Sequence, residues 1–236
     1  MTGAGGGIGF QVAADFLKRG AVVGAHYRHN KEGVQRLFEY AEPSQCQIFQ
    51  ADFSRSVEVL RLWNEFVGWS QGIDVLVNNA GEAVAPVPLD EIDEDSWDRT
   101  FQVNVKAPFL LSRAALSIMA KQGSGRIINL SSIGVKFGGG ISTVHYSASK
   151  AALEALTKSF AKAGAPFNVL VNTVRAGVTD TPLREKVGQH DSSARIGLIP
   201  LKRLAQPNEI SETVLFLASD RSSYITGTIL TVAGGE

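Results

Sequence analysis

The sequence predicts an α/β fold built on a doubly wound parallel sheet, and three observations predict it. Short apolar runs recur at Ala21 to Tyr27, Cys46 to Gln50, Ile73 to Val77, Gly125 to Ser132, Phe167 to Val174 and Thr228 to Val232, with helical patterns between most of them. Such runs read as strands buried on both faces and joined by crossover helices. A glycine-rich turn, Thr2-Gly3-Ala4-Gly5-Gly6-Gly7-Ile8-Gly9, opens the chain and leads into a helix ending near Gly20. Polar residues gather where apolar runs end, at Asn78-Asn79-Ala80-Gly81 and Ser131-Ser132, and ligands of such sheets bind beyond the carboxyl ends of the strands.

The 236 residues, 44% of them hydrophobic, suit one domain spanning 1–236. Lys plus Arg equals Asp plus Glu at 23 each, so no basic field points to nucleic acid and no acidic tail is present. The lone Cys46 excludes an intramolecular disulfide and lacks neighbours for a metal site; it reads as a buried strand thiol in a reducing compartment. The most apolar helix, Phe109 to Ala120, is broken by Arg113 and too short to span a bilayer, and the N-terminus has no signal-peptide pattern. The expectation is a cytoplasmic protein without nucleic-acid, membrane or metal partners.

In the opening turn, Gly3, Gly5, Gly7 and Gly9, with Ile8 between the last two, let the backbone approach a diphosphate whose charge rests on the helix N-terminus. The spacing Gly-x-x-x-Gly-x-Gly differs from the commoner G-x-G-x-x-G. Such a turn should follow a strand, yet only Met1 precedes it. In a doubly wound sheet that strand lies centrally, so without it the flanking strands keep unpaired edges around an opened core. The expectation is that the natural chain begins several residues earlier; were 236 residues the whole product, stability and cofactor binding would suffer.

At the end of the Ala21 to Tyr27 run, an acidic residue would hydrogen-bond the ribose of NAD and an arginine would receive the extra phosphate of NADP. Tyr27 holds the acidic position and Arg28 follows, which favours NADP(H) and leaves NAD(H) as second choice. The alternative is a solvated loop arginine, and the glycine turn contains no basic residue. Lys31 to Ala41 reads as an amphipathic helix. After Cys46 to Gln50 come Asp52 and Phe53, where the carboxylate is placed to accept from an adenine amino group or to cap the Val57 to Trp69 helix. Asn79, Ala80 and Gly81 would let a cofactor lie close while amides hold neighbouring strands; a plain Asn-Gly turn is the alternative. Beyond the acidic loop Glu82 to Glu94, a long helix opens at Asp95 and carries Asn104 among apolar neighbours. A buried asparagine needs a partner: it either repairs a helix irregularity or anchors a water leading to Lys150.

Tyr146 and Lys150 lie at i and i+4 at the start of a helix running to about Ala163, hence on one face. A tyrosine titrates near pH 10 when unperturbed, and a cation one turn away favours the phenolate, making proton exchange with an alcohol or carbonyl feasible. Taken alone, the pair would more often be a helix with a solvated lysine. Ser132 ends the Gly125 to Ser132 strand as a hydroxyl donor. Beyond Phe167 to Val174 lie Gly177, Val178 and Thr181, the last suited to a carboxamide or diphosphate, and residues 182–200, the least regular stretch, read as a substrate lid. A helix over Pro207 to Ala218 and a last strand ending before Gly234-Gly235 complete the chain.

Thr-Gly-x-x-x-Gly-x-Gly at 2–9, Asn-Asn-Ala-Gly at 78–81, Asn104, Ser132, Tyr-x-x-x-Lys at 146–150 and Gly177 to Thr181 occur in the order and topological positions found in one family. Along nearly its whole length the chain resembles the classical short-chain dehydrogenase/reductases, most closely the 3-oxoacyl-acyl-carrier-protein reductases and related ketoreductases. The resemblance implies a Rossmann-type sheet of seven parallel strands, a nicotinamide cofactor, and a catalytic tetrad of Asn104, Ser132, Tyr146 and Lys150. In it Ser132 polarises the substrate oxygen, Tyr146 exchanges its proton, Lys150 lowers the phenol's pKa and holds the ribose, and Asn104 fixes a relay water. It further implies a small-molecule or acyl-carrier-bound carbonyl substrate. The usual proline before Gly177 is Ala176, which is expected to loosen that turn. Rival readings are an NAD-dependent alcohol or sugar dehydrogenase and a cofactor-binding scaffold without turnover. Ala148, Ser149, Ala151, Ala152 and Ala155 permit a homodimer or homotetramer packed on the Tyr146 helix, or a close contact within one chain.

Overall fold

The computed structural model describes residues 1–42, 44–82, 86–182 and 193–236. Its strands are β1 (Val23–Tyr27), β2 (Cys46–Gln50), β3 (Val75–Asn78), β4 (Gly125–Ser132), β5 (Val169–Ala176) and β6 (Ile229–Val232). All pairings are parallel: β1 pairs with β2, and β3-β4-β5-β6 form a second ladder. Residues 1–4 lie between the two groups. The Met1 nitrogen donates to Gly24 O at 2.8 Å. His26 N–H donates to Met1 O at 2.9 Å, Ala4 N–H to His26 O at 2.7 Å and Thr2 N–H to Val77 O at 3.0 Å. Away from that short join β1 and β3 stand apart around a cavity of about 460 Å³ lined by Val23, Phe66, Trp69, Val75 and Leu111.

Both faces of the sheet are covered, as a doubly wound fold requires. Helices α1 (Gly7–Leu17) and, late in the chain, Pro207–Ala218 bury Val12, Ile210, Val214 and Leu217 against Ile128 and Val174. On the other face α3 (Ser56–Ser70) and α5 (Ala107–Gln122) pack Leu62, Leu111, Ala115 and Met119 against Ile127 and Val171. Adjacent Ile127 and Ile128 enter opposite cores because successive strand side chains alternate.

Local chemistry sets the element ends. Asp93 caps α4 (Glu94–Phe101) by accepting from Ser96 N–H at 2.7 Å. The long helix expected from Asp95 is continuous from α4 into α5, but Gln102–Lys106 forms a π turn around Asn104. The expected Lys31 to Ala41 helix is split into α2 (Lys31–Gln35) and a 3-10 turn over Arg36–Tyr40. The expected Phe167 to Val174 strand is displaced to Val169–Ala176, because Asn168 takes a left-handed conformation (φ 58°) that closes a 3-10 turn first. Helix α6 spans Val144–Gly164. Of the expected lid, 183–192 lie outside the described residues, and Ser193–Leu198 forms the short helix α7, which makes Pro207–Ala218 α8. Among the described residues no helix is long and apolar enough to cross a membrane, and no cluster of potential metal ligands occurs.

Candidate active site

The carboxyl ends of β3, β4 and β5, the glycine turn and the start of α6 enclose a cleft of about 1170 Å³. Ile8, Asn79, Gly81, Ser132, Tyr146, Lys150, Gly177, Val178 and Thr181 all line it. Residues from five separate stretches of the sequence thus meet in one place.

The glycine turn is held by close approaches that side chains would block. A Cβ on Gly3 (φ 68°) would sit 2.9 Å from the Ala80 Cα, and one on Gly9 would collide with Gly3 O at 2.1 Å. Gly7 (φ 55°) opens α1 directly against Thr181, whose Cγ2 would be 3.1 Å from an added Cβ. No side chain caps α1, so its first N–H groups face the cleft free to take an anion. Asn30, the N-cap of α2, fastens the turn, its Nδ2 donating to Gly5 O at 2.6 Å. This open-faced cradle fits the diphosphate of a dinucleotide.

Three further residues hold that turn. Thr2 Oγ1 accepts from the N–H groups of Asn79 and Ala80, both at 3.0 Å, and donates to Val77 O at 3.2 Å. Asn79 Nδ2 returns bonds to Thr2 O and Gly3 O at 3.0 and 3.1 Å. His26, buried at the end of β1, accepts from Gly3 N–H through Nδ1 at 3.1 Å, while Nε2 donates to Ala51 O at 3.0 Å. Burial holds its pKa down to about 4, which keeps the ring neutral with one donor and one acceptor. His26 and Thr2 were missed as site residues at the sequence level. A histidine in the apolar run from Ala21 was the available signal.

Phe53 is not among the residues that line the cleft. Its ring is buried and stacks on His26 at 4.0 Å between centroids. Asp52 is not the cap of α3, whose N-cap is Arg55; it accepts from Ser54 N–H at 3.0 Å and lies 3.3 Å from Arg28 Nε. Arg28 and Asp52 line a neighbouring groove of about 770 Å³ along β2.

In the tetrad region, α6 presents Tyr146 and Lys150 to the same cleft, with Lys150 Nζ 5.9 Å from the Tyr146 ring centroid and donating to Leu130 O at 2.8 Å. Burial lowers Lys150 to about 8. The phenol departs from expectation: burial pushes Tyr146 above the ordinary tyrosine range, and the hydrogen bond with Ser132 pulls against that shift. Desolvation of the phenolate outweighs that hydrogen bond. Ser132 Oγ also accepts from Gly134 N–H at 3.2 Å, which orients it at the strand end.

Asn104 is fully buried behind Gly81. Its Oδ1 accepts from Glu82 N–H at 2.7 Å, and its Nδ2 donates to Glu82 O at 3.2 Å and to Ser149 Oγ at 2.9 Å. Ser149 in turn donates to Tyr146 O at 2.7 Å. Of the two roles weighed for this asparagine, the helix irregularity is visible as the π turn. Below the cleft, Asn78 donates to Asn129 Oδ1 and Ser112 Oγ, and Asn129 donates to Thr157, so the amides hold neighbouring strands. Glu154 accepts from Ser131 Oγ at 2.7 Å and from Arg175 at 2.9 and 2.6 Å. Neither Glu154 nor Arg175 was singled out from sequence.

The turn after β5 is not loose despite Ala176. Gly177 N–H donates to Val232 O at 2.8 Å, Ala205 N–H to Val178 O at 3.0 Å and Asp180 N–H to Ala205 O at 2.8 Å.

Fold and cleft together define an oxidoreductase that acts on carbonyl and alcohol groups with a nicotinamide coenzyme, and the chain belongs to the short-chain dehydrogenase/reductase family. A family model described as enoyl-(acyl carrier protein) reductase matches residues 3–236. The chain is 35% identical to the 3-oxoacyl-(acyl-carrier-protein) reductase FabG of Thermotoga maritima over 100% of its own length and 95% of that protein's. It is equally 35% identical to a cyclopentanol dehydrogenase of a Comamonas species, covering 94% of that protein. Among solved structures it is similar to one described as a short chain dehydrogenase/reductase family protein, at 33% identity and a TM-score of 0.88, covering 100% of this chain and 94% of that one.

Proposed function

We propose that this chain reduces a carbonyl to an alcohol with NADP(H), NAD(H) serving as the second choice. The observation that carries the reading is that Ser132, Tyr146 and Lys150 line one cleft beside the glycine cradle. The bound coenzyme supplies the hydride. Ser132 hydrogen-bonds the substrate oxygen and Tyr146 gives it a proton. The raised phenol pKa keeps Tyr146 protonated at neutral pH, which suits the reductive direction. Lys150, whose ammonium donates to Leu130 O, would hold the coenzyme ribose. Asn104 acts through the Glu82 backbone and Ser149, fixing the start of α6.

The substrate is a small or acyl-carrier-bound carbonyl compound. Apolar Phe137, Ile133 and Leu198 line the cleft beside Tyr146, and the Thermotoga maritima relative's name supports an acyl substrate. Residues 182–200 serve as the lid, with Ala194, Arg195 and Leu198 already on the cleft wall. We take the active form to be a homodimer or homotetramer packed on α6, where Ala151 and Ala155 are exposed whereas Ser149 is consumed inside the chain; light scattering measures this directly.

The decisive experiment titrates purified protein with NADPH and NADH and then assays a panel of 3-oxoacyl thioesters, ketones and sugars. Tyr146→Phe is expected to lower turnover by about a hundredfold to ten-thousandfold while sparing coenzyme affinity. Undiminished turnover in that variant defeats the proposal, and coenzyme binding without turnover on any substrate favours the scaffold. The second reading, an NAD-dependent alcohol dehydrogenase, draws on Arg28 being shared by Asp52 and Glu82 and on the cyclopentanol dehydrogenase relative. It predicts NADH preference and indifference to Arg28→Ala.

A further inference from the structure

Four charges alternate across the mouth of the sheet between the end of β1 and the last turn of α4. Arg28 Nε lies 3.3 Å from Asp52 Oδ1, and Arg28 Nη1 lies 4.0 Å from Glu82 Oε1. Arg99 Nε donates to both oxygens of Glu82, at 2.8 and 2.9 Å. The order is therefore Asp52, Arg28, Glu82, Arg99, with the Glu82 side chain only 20% exposed. Its main chain is gripped at both N–H and C=O by Asn104. Asn104 thus holds the Glu82 main chain while Arg99 holds its carboxylate.

Arg28 stands where an adenosine 2′-phosphate would be received, and that cation already carries two carboxylate neighbours. A phosphate dianion arriving there competes with both for one guanidinium and meets the fixed charge of Glu82 at short range. A ribose bearing a free 2′-hydroxyl meets no such opposition. We infer that Glu82, tuned by Arg99, sets the ratio of NADPH to NADH affinity by competing with the 2′-phosphate for Arg28. Arg99 shares the Glu82 charge, so it moderates the competition; without it Glu82 bears more strongly on Arg28. The inference rests on the coenzyme reading above and deepens it, because neither residue touches the reacting atoms.

The test uses the full chain and calorimetric binding of NADPH, NADH and the fragments 2′,5′-ADP and 5′-AMP, so it does not depend on turnover. Glu82→Gln keeps the backbone grip and a hydrogen-bonding partner for Arg99 while removing the charge. It is expected to tighten NADPH and 2′,5′-ADP about tenfold, with NADH and 5′-AMP changing less than about twofold. Arg99→Gln is expected to act in the opposite sense, weakening NADPH about threefold, and it decides the matter should Glu82→Gln fail to fold. Equal shifts for both coenzymes, or an unchanged ratio in these variants, overturn the inference alone. A wild-type chain that binds neither coenzyme overturns the functional reading and this inference together.

Discussion

Strands β3 to β6 are knit by a continuous parallel ladder in which β4 and β5 match eight residue pairs, whereas β1 and β2 match five and reach the rest of the sheet through residues 1–4. The two regions are stabilised by different means. The β3–β6 side carries Ser132, Tyr146 and Lys150 over a buried polar seam in which Asn78, Asn129, Thr157 and Thr173 are hydrogen-bonded in series and Asn78 Oδ1 alone has no partner. The β1–β2 side carries the glycine turn, and its position depends on Thr2, His26 and Asn79. On the proposed function, chemistry falls on the cross-linked half and cofactor capture on the half with fewer ties. Substitutions on one side should therefore move rate, and on the other, affinity and acid stability.

The largest expected effect is that of Lys150→Met. Its rate should fall at least about a hundredfold, while stability at neutral pH rises, because the native fold holds a buried ammonium whose pKa is driven from 10.5 to about 8. That difference corresponds to a gain on the order of 3 kcal/mol at most, before loss of the Leu130 bond is counted. Since the native state binds that proton less tightly than the unfolded chain, wild-type stability should climb as pH rises from about 8 to 10.5. Thermal unfolding of both proteins across that window checks this; a lower midpoint for the variant at pH 7 would show that the tetrad carries no stability cost.

Next in size is the acid response of the cradle. His26 is neutral in the fold, its pKa held near 4 against an ordinary 6.5. Its contribution is complete above 6.5 and is lost as pH falls toward 4, by an amount on the order of 3 kcal/mol. His26→Phe should flatten that part of the stability curve and weaken coenzyme binding at pH 7, since Gly3 N–H and Ala51 O lose their partner. An acid limb of equal slope in the variant would move the source of acid sensitivity elsewhere.

The smallest effects form a matched pair. Thr2→Val leaves two N–H groups without an acceptor, and Thr157→Val removes a hydroxyl bonded to Asn129 and Thr173. Each should cost about 1–3 kcal/mol in denaturant unfolding. Only Thr2→Val should also weaken coenzyme affinity, and equal binding by both variants would erase the contrast between the two halves.

What could be read from sequence follows the range of the interactions concerned. Tyr146 and Lys150 were legible because helical spacing alone puts them on one face, and the glycine turn because positive φ and close backbone approach call for glycine. The bond from His26 to the turn and the Glu154–Arg175 pair join residues 23 and 21 positions apart, and no local periodicity encodes them. The displaced β5 boundary came from one left-handed residue, Asn168, and the inverted shift of Tyr146 from burial, which depends on everything packed around it. Phe53 sits at a topologically apt position, but the neighbouring strand gave its ring a histidine to cover.

The π turn over Gln102–Lys106 has a consequence for how this gene can vary. An ordinary helix advances by about 3.6 residues per turn, and a π turn stores one surplus residue. Losing a single codon there would restore regular winding, yet it would rotate Asn104 by roughly 100° and withdraw its grip on Glu82 and Ser149. Length in that five-residue stretch should thus be more tightly constrained than the identity of its outward-facing side chains.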